Sequence, residues 1–281
     1  MTLADTRLHI SSPLLLLTYG EQERKFAIIS TVKDHSDRDP SMTTTTADAT
    51  DNISAHGQKS QVWDIFVRLF HWALVFFIGF AWWTGEQGGE WMQWHMRCGY
   101  AVLGLVIFRL LWGFAGSFYA RFRQFIYSPK TTLQYLGSLL QRKEPVYAGH
   151  NPLGGWAVVL LLLLCAFQAG SGLFANDDIF TEGPLVHLVG YDLSIEITKW
   201  HKTMFNVLLA VIAVHVVGVI YHQRFRKEPL VQGMITGQKP VAEAVDLATA
   251  EQATKSPARL IVTGLIVIAV SVAAVWGLLS L

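Results

Sequence analysis

From residue 62 onward the apolar positions fall in long unbroken runs rather than at the spacing of a half-buried helix or strand, and five such runs stand out. They cover roughly 64–84 ("DIFVRLFHWALVFFIGFAWWT"), 94–116 ("WHMRCGYAVLGLVIFRLLWGFAG"), 155–175 ("GWAVVLLLLLCAFQAGSGLFA"), 195–222, and 259–281 ("RLIVTGLIVIAVSVAAVWGLLSL"). Each supplies the about 20 residues a helix needs to cross about 30 Å of hydrocarbon. Trp63, Trp82, Trp83, Trp91, Trp94 and Trp156 punctuate their ends, as indole does at the headgroup level. The pattern predicts an all-α integral membrane protein, with a four-helix transmembrane bundle over residues 62–239 and a fifth transmembrane helix at 259–281. Between these, residues 240–258 read as a cytoplasmic linker, and "SPKTTLQYLGSLLQRKEP" as a short amphipathic helix on the membrane surface.

Residues 1–61 are of a different kind. "STVKDHSDRDPSMTTTTADATDNISAHGQKSQ" is polar and aperiodic, which predicts a disordered tail. The run "PLLLLTYG" is too short to span and lacks a cleavage pattern, so it reads poorly as a signal peptide. A natural start at Met42 would leave an ordinary short tail.

Composition agrees with the pattern. The 281 residues are 52% hydrophobic and only 15% charged, where a soluble domain carries about 25% charged residues. A net charge of +1 gives no reason to expect nucleic acid or an acidic substrate. Cys98 and Cys165 lie inside apolar runs with no CxxC or CxxCH, so they read as packing residues rather than zinc, redox or covalent haem sites. Charge placement sets the orientation. Arg121, Arg123, Lys130, Arg142 and Lys143 follow the second run, and Arg224, Arg226, Lys227 and Lys239 follow the fourth. The other two connections are acidic and lack Lys and Arg, so the N-terminus is predicted in the cytoplasm and the C-terminus outside.

Histidines within apolar runs carry the candidate chemistry, because an imidazole in hydrocarbon needs a partner. His201 and His215 are 14 residues apart, about 21 Å and close to four turns along one helix face. With orientation fixed, His71 shares the inner depth of His215, and His95 the outer depth of His201. Paired imidazoles from neighbouring helices suit a low-spin haem with both axial positions filled, so these four are candidate iron ligands for two haems stacked across the bilayer. His222 is the rival of His215, seven residues further on and nearly on the same face. Its neighbours Gln223 and Arg224 place it at the interface, and depth favours His215. A single membrane histidine can equally serve as an interhelical or interfacial hydrogen-bonding residue; four at two matched depths favour a cofactor. His9, His35, His56, His150 and His187 lie in tails or loops and receive no role. Haem propionates need cationic partners at the membrane edges, and Arg68, Arg97, Arg109 and Lys199 are the candidates, although each can also snorkel to headgroups. Arg109 stands out for its apolar neighbours on both sides in "VIFRLLWGF". Gly79, Gly99, Gly104, Gly170 and Gly172 leave room either for a macrocycle or for close helix packing.

The stretches "VWDIFVRLFHW", "WHMRCGYAVLGLVIFRLLWGFAGSFYARF", "HNPLGGW" and "HVVGVIYHQRFRKEPLVQGMITGQK" resemble the bacterial cytochrome b561 and nickel-hydrogenase b-type cytochrome family, over about residues 61–239. The resemblance implies a four-helix bundle in the inner membrane holding two b haems, with ligands at His71, His95, His201 and His215. The expected function is a di-haem cytochrome carrying electrons between quinone and a redox partner. The branch with "ARF…FIYSP…HNPLGGW" suggests a periplasmic c-type cytochrome as that partner, with the membrane subunit of a nickel–iron hydrogenase as the alternative. From other classes, a histidine-lined transporter without haem and a plain structural anchor remain, though neither a Pro-broken helix nor an inverted repeat is visible. The first 60 residues and "EAVDLATAEQATKSP" with the fifth helix lie outside the resemblance.

Overall fold

The computed structural model describes residues 59–178, 181–240, 244–246 and 256–281. The predicted tail, with Met42, lies outside the described residues except for its last three, and so does most of the predicted linker. Among the described residues, five helices are long and apolar enough to cross a membrane. They are α1 (Ile65–Gln87), α2 (Met92–Ala115), α5 (Pro152–Gly172), α6 (Tyr191–Phe225) and α8 (Pro257–Leu279). Between α2 and α5 lie the short α3 (Phe122–Phe125) and α4 (Pro129–Leu140); α7 (Leu230–Thr236) follows α6. Family-level expectation and fold agree: the protein is an all-α membrane bundle of four helices plus a fifth.

Local sequence sets where these helices begin. α4, α5 and α8 each start with a capping side chain followed by proline: Ser128–Pro129, Asn151–Pro152 and Ser256–Pro257. The cap satisfies a free N–H and proline's fixed φ suits the first turn. Asp64 caps α1 through Val67 N at 2.9 Å, while its other oxygen accepts from Trp112 Nε1 and Ser117 Oγ. This buried carboxylate therefore ties the start of α1 to the end of α2 with every bond satisfied. At the opposite end the chain turns from α1 into α2 through Gly88 and Gly89, both with positive φ, a conformation glycine takes at no steric cost.

Helix α2 is the centre of the bundle. It packs on α1, α5 and α8, and α6 packs on α5. Helices α1 and α6 meet through Trp82 and Phe205, with ring centroids 6.3 Å apart. Cys98 and Cys165 are free and buried, as packing residues are. Gly104 faces Val275 of α8, so this glycine serves helix packing. The remaining face of α8 exposes Ile261, Leu265, Val272 and Trp276 to the lipid.

The basic end carries a structure the hydrophobic pattern did not predict. Strand β1 (Lys59–Gln61) pairs antiparallel with β2 (Gln238–Pro240), in register Ser60↔Lys239. Residues 59–61, read from sequence as the end of the tail, are thus clasped to the segment after α6. The buried Lys239 donates to Tyr147 O and Ala148 O. Asp246, within the predicted linker, accepts from Ala148 N and Gly149 N. Helix α4 buries Tyr135 and exposes Leu133, Leu136 and Leu140, the amphipathic surface helix expected there.

Candidate functional site

The histidines converge in two places. At the acidic end, α1, α2, α5 and α6 enclose a cavity of about 430 Å³ that takes in His95 and His201. Their ring centroids lie 6.1 Å apart at 79°. Metal–imidazole bonds of about 2.0–2.1 Å place two rings about 6 Å apart across one metal, so this pair stands at ligating separation. His95 Nδ1 meets Ala81 O at 2.8 Å. A carbonyl only accepts, so Nδ1 carries the proton and Nε2 keeps its lone pair. His201 Nδ1 bonds Ser171 Oγ at 3.0 Å, while that hydroxyl donates to Gln168 O. Both rings are thus held in the tautomer a metal ligand needs, by the outer bonds that orient such ligands. Gln168 Nε2 lies 3.1 Å from His201 Nε2, and its amide must turn aside for a metal to bind there. A Cβ at Gly85 would meet His95 Nδ1 at 2.9 Å, and one at Gly172 would meet His201 at 3.2 Å. Gly99 also lines the cavity, with open space where its Cβ would be.

At the basic end His71 of α1 and His215 of α6 are close electrostatic neighbours. His71 Nδ1 is sealed from solvent without a hydrogen-bond partner. Around this pair lie further polar atoms of the same kind, on Arg68 Nε, Arg109 Nη1 and His150 Nδ1. Arg109 is only 2% exposed, with its guanidinium over the rings of Phe122 and Phe125. His150 packs between Trp63 and Phe125, each centroid 4.7 Å away. Burial, then the nearby Arg109, Lys239 and His215, push its pKa down to about 3, so its ring is neutral at ordinary pH.

The other predicted residues fall as follows. Arg68 Nη1 donates to Ile235 O beside the β clasp. Arg97 stacks on Trp94, and Lys199 pairs with Glu196 at 3.2 Å on the surface. Neither Arg97 nor Lys199 lines the cavity; Lys202 does, one residue beyond His201. His222 lies 3.1 Å from Glu228 and so has a partner of its own. The reading from sequence missed His150, Ser171, Gln168 and Lys202. For Ser171, its place between two candidate glycines was the available signal.

Among the described residues no three His, Cys, Asp or Glu side chains converge to hold a metal ion. Two imidazoles suffice for an ion that arrives with four in-plane nitrogens, which is the donor set a haem iron leaves to the protein. The family model for prokaryotic cytochrome b561 matches residues 62–237. The chain belongs to the prokaryotic cytochrome b561 family. It is a membrane b-type cytochrome, which removes the haem-free transporter and anchor readings. Two relatives, each described as a probable Ni/Fe-hydrogenase B-type cytochrome subunit, are similar to it. That of Bradyrhizobium diazoefficiens is 24% identical over 73% of this chain and 95% of its own. That of Rhizobium leguminosarum bv. viciae is 26% identical over 66% and 93%. No solved structure matches. For a b561 cytochrome the residues fit: paired imidazoles for the iron and glycines beside the rings at the acidic end, and at the basic end Arg68 and Arg109, each with one shielded nitrogen that has no hydrogen-bond partner.

Proposed function

We propose that this cytochrome b561 carries two b haems per chain and moves electrons across the bacterial inner membrane between quinone and a redox partner. The observation that carries the reading is the 6.1 Å pairing of His95 with His201, both held by Nδ1. His215 lies about 21 Å from His201 along α6, and His71 is its electrostatic neighbour there. The haem supplies a one-electron couple when bound; the chain's residues hold it, orient it and keep water out. His71 and His215 would hold the inner haem, and His95 and His201 the outer one. Arg68 and Arg109 partner the inner propionates. For the outer haem the cavity offers Lys202, while Arg97 and Lys199 reach it only by changing the side-chain positions described above. The basic end faces the cytoplasm, and the His95–His201 end would face a periplasmic c-type cytochrome as the redox partner. A second reading, a hydrogenase as partner, is favoured by the descriptions of the two relatives. Copurification of the tagged chain with a multihaem or c-type protein, or with a nickel–iron subunit, separates the two.

A dithionite-reduced spectrum and a pyridine haemochrome assay of the purified chain test the haem count. The expected result is b-type bands at about two haems per chain and only low-spin electron paramagnetic resonance signals. A stoichiometric high-spin centre, or carbon monoxide bound by half of the haem, would reject the bis-histidine pairing.

A further inference from the structure

His150 is held more firmly than a loop residue without a function needs to be. The three residues before it are pinned by the segment that follows α6. Lys239 Nζ donates to Tyr147 O at 3.2 Å and Ala148 O at 3.0 Å. Asp246 accepts from Ala148 N at 2.8 Å and Gly149 N at 3.0 Å. The residue after it, Asn151, caps α5 through Gly154 N at 2.7 Å. The ring itself is fixed between Trp63 and Phe125. Yet Nδ1, shielded from solvent, bonds nothing in the protein. Leaving a buried polar atom unsatisfied is costly, so a rigid arrangement that does this asks for a ligand.

The surroundings define that ligand's charge. Arg109 and His150 both pack against the Phe125 ring, and Arg109 keeps Nη1 without a bond. Arg109 is buried, so its charge is unscreened by water. The nearby carboxylate, Asp64, is already engaged by Val67 N, Trp112 Nε1 and Ser117 Oγ. An unbonded nitrogen of a full cation and an unbonded imidazole nitrogen thus lie within electrostatic reach of each other, with His215 also near His150. A carboxylate satisfies both.

We propose that His150 and Arg109 form an anion site that takes one propionate of the haem between His71 and His215, with His150 donating from Nδ1. The inference rests on the two-haem reading. It also gives the clasp a role: Lys239 and Asp246 set the position of the 147–149 backbone and so the aim of His150.

The test uses the full chain in detergent, with haem content and redox titration as readouts. His150→Phe keeps an aromatic ring between Trp63 and Phe125 but has no N–H. It should retain two low-spin haems and lower the midpoint potential of one component, the same one that His71→Ala removes. The direction follows because a propionate that loses a donor presents more negative charge to the iron and favours the ferric state. His150→Gln, which restores an N–H donor, should recover most of the shift. An unmoved potential in His150→Phe, an equal shift of both haems, or equal shifts in the Phe and Gln variants would overturn the assignment. Wild-type protein with one haem or none would instead overturn the two-haem reading itself.

Discussion

An imidazole in hydrocarbon is costly unless its nitrogens find partners, and the four paired histidines differ in how they meet that demand. At the acidic end Ala81 O and Ser171 Oγ take the Nδ1 protons, so both Nε2 atoms face one space. At the basic end His71 keeps an unpartnered Nδ1. Replacing His215 or His71 with Ala should therefore remove one spectral component, and replacing His95 or His201 the other. His222→Ala should leave about two haems per chain, because its imidazole pairs with Glu228 rather than with the bundle interior. The pattern across all five variants is the measurement, since a loosened bundle can shed both haems and imitate any single result. If His222→Ala loses the component that His71→Ala loses while His215→Ala keeps it, His215 is not the inner ligand. The approach of His95 to His201 was legible in the sequence because a helix converts residue number into depth at about 1.5 Å per residue. His150 was not. It sits in a loop, where number fixes no depth, and only the later folding of residues 238–246 over its own segment gives it a place.

Helices that cross a bilayer announce themselves by length and apolarity, and all five were legible for that reason. Their ends were less so. Helix α6 runs for 35 residues, about 52 Å and longer than the hydrocarbon, because its polar first turns are held by Thr198 bonding to Asn176. The clasp of β1 and β2 was invisible, since three-residue strands 177 positions apart gain their stability from each other and not from local pattern. Just after α6 the junction with α7 rests on Glu228. Burial alone would raise this carboxyl, but the His222 hydrogen bond and charge, with Lys239 and Arg226, outweigh it and hold the pKa below its ordinary value. A depressed carboxyl stabilises the fold fully above the ordinary value of 4.5 and loses that contribution as pH falls through the lower folded value. Acidifying the solubilised protein from about pH 5.5 to below pH 4 should therefore lower Tm more in wild type than in Glu228→Gln. A hydrogen bond to a charged group makes the difference about 1–3 kcal/mol. Equal falls in Tm would show that this ion pair does not hold the junction.

Across the whole molecule, the two ends of the bundle differ in charge, and the structure sharpens that difference. Lys239 is spent on backbone carbonyls and Arg226 on the buried Glu144 at 2.7 Å, so neither is free to meet the headgroups. Arg121, Arg123, Lys130, Arg142, Lys143, Arg224 and Lys227 still flank the same end. The opposite end offers Arg97, Lys199 and Lys202, with Lys199 engaged by Glu196, against Glu86, Glu90, Asp177, Asp178, Glu182, Asp192 and Glu196. By the positive-inside rule, the excess of Lys and Arg predicts a cytoplasmic basic end. A periplasm-active reporter fused after Leu281 should then be active, and one fused after Lys239 inactive, because α8 carries the chain across once more. Both results are needed, since inactivity at both points would mean that α8 lies on the membrane instead of spanning it. The reverse pair of results would turn the molecule over. The His95–His201 cavity would then face the cytoplasm, and a periplasmic partner would have to meet the clasped end, where β1, β2 and the 147–149 loop lie over His150. The orientation measurement therefore decides more than topology: it decides whether the open cavity or the covered anion site stands on the side where electrons leave the membrane.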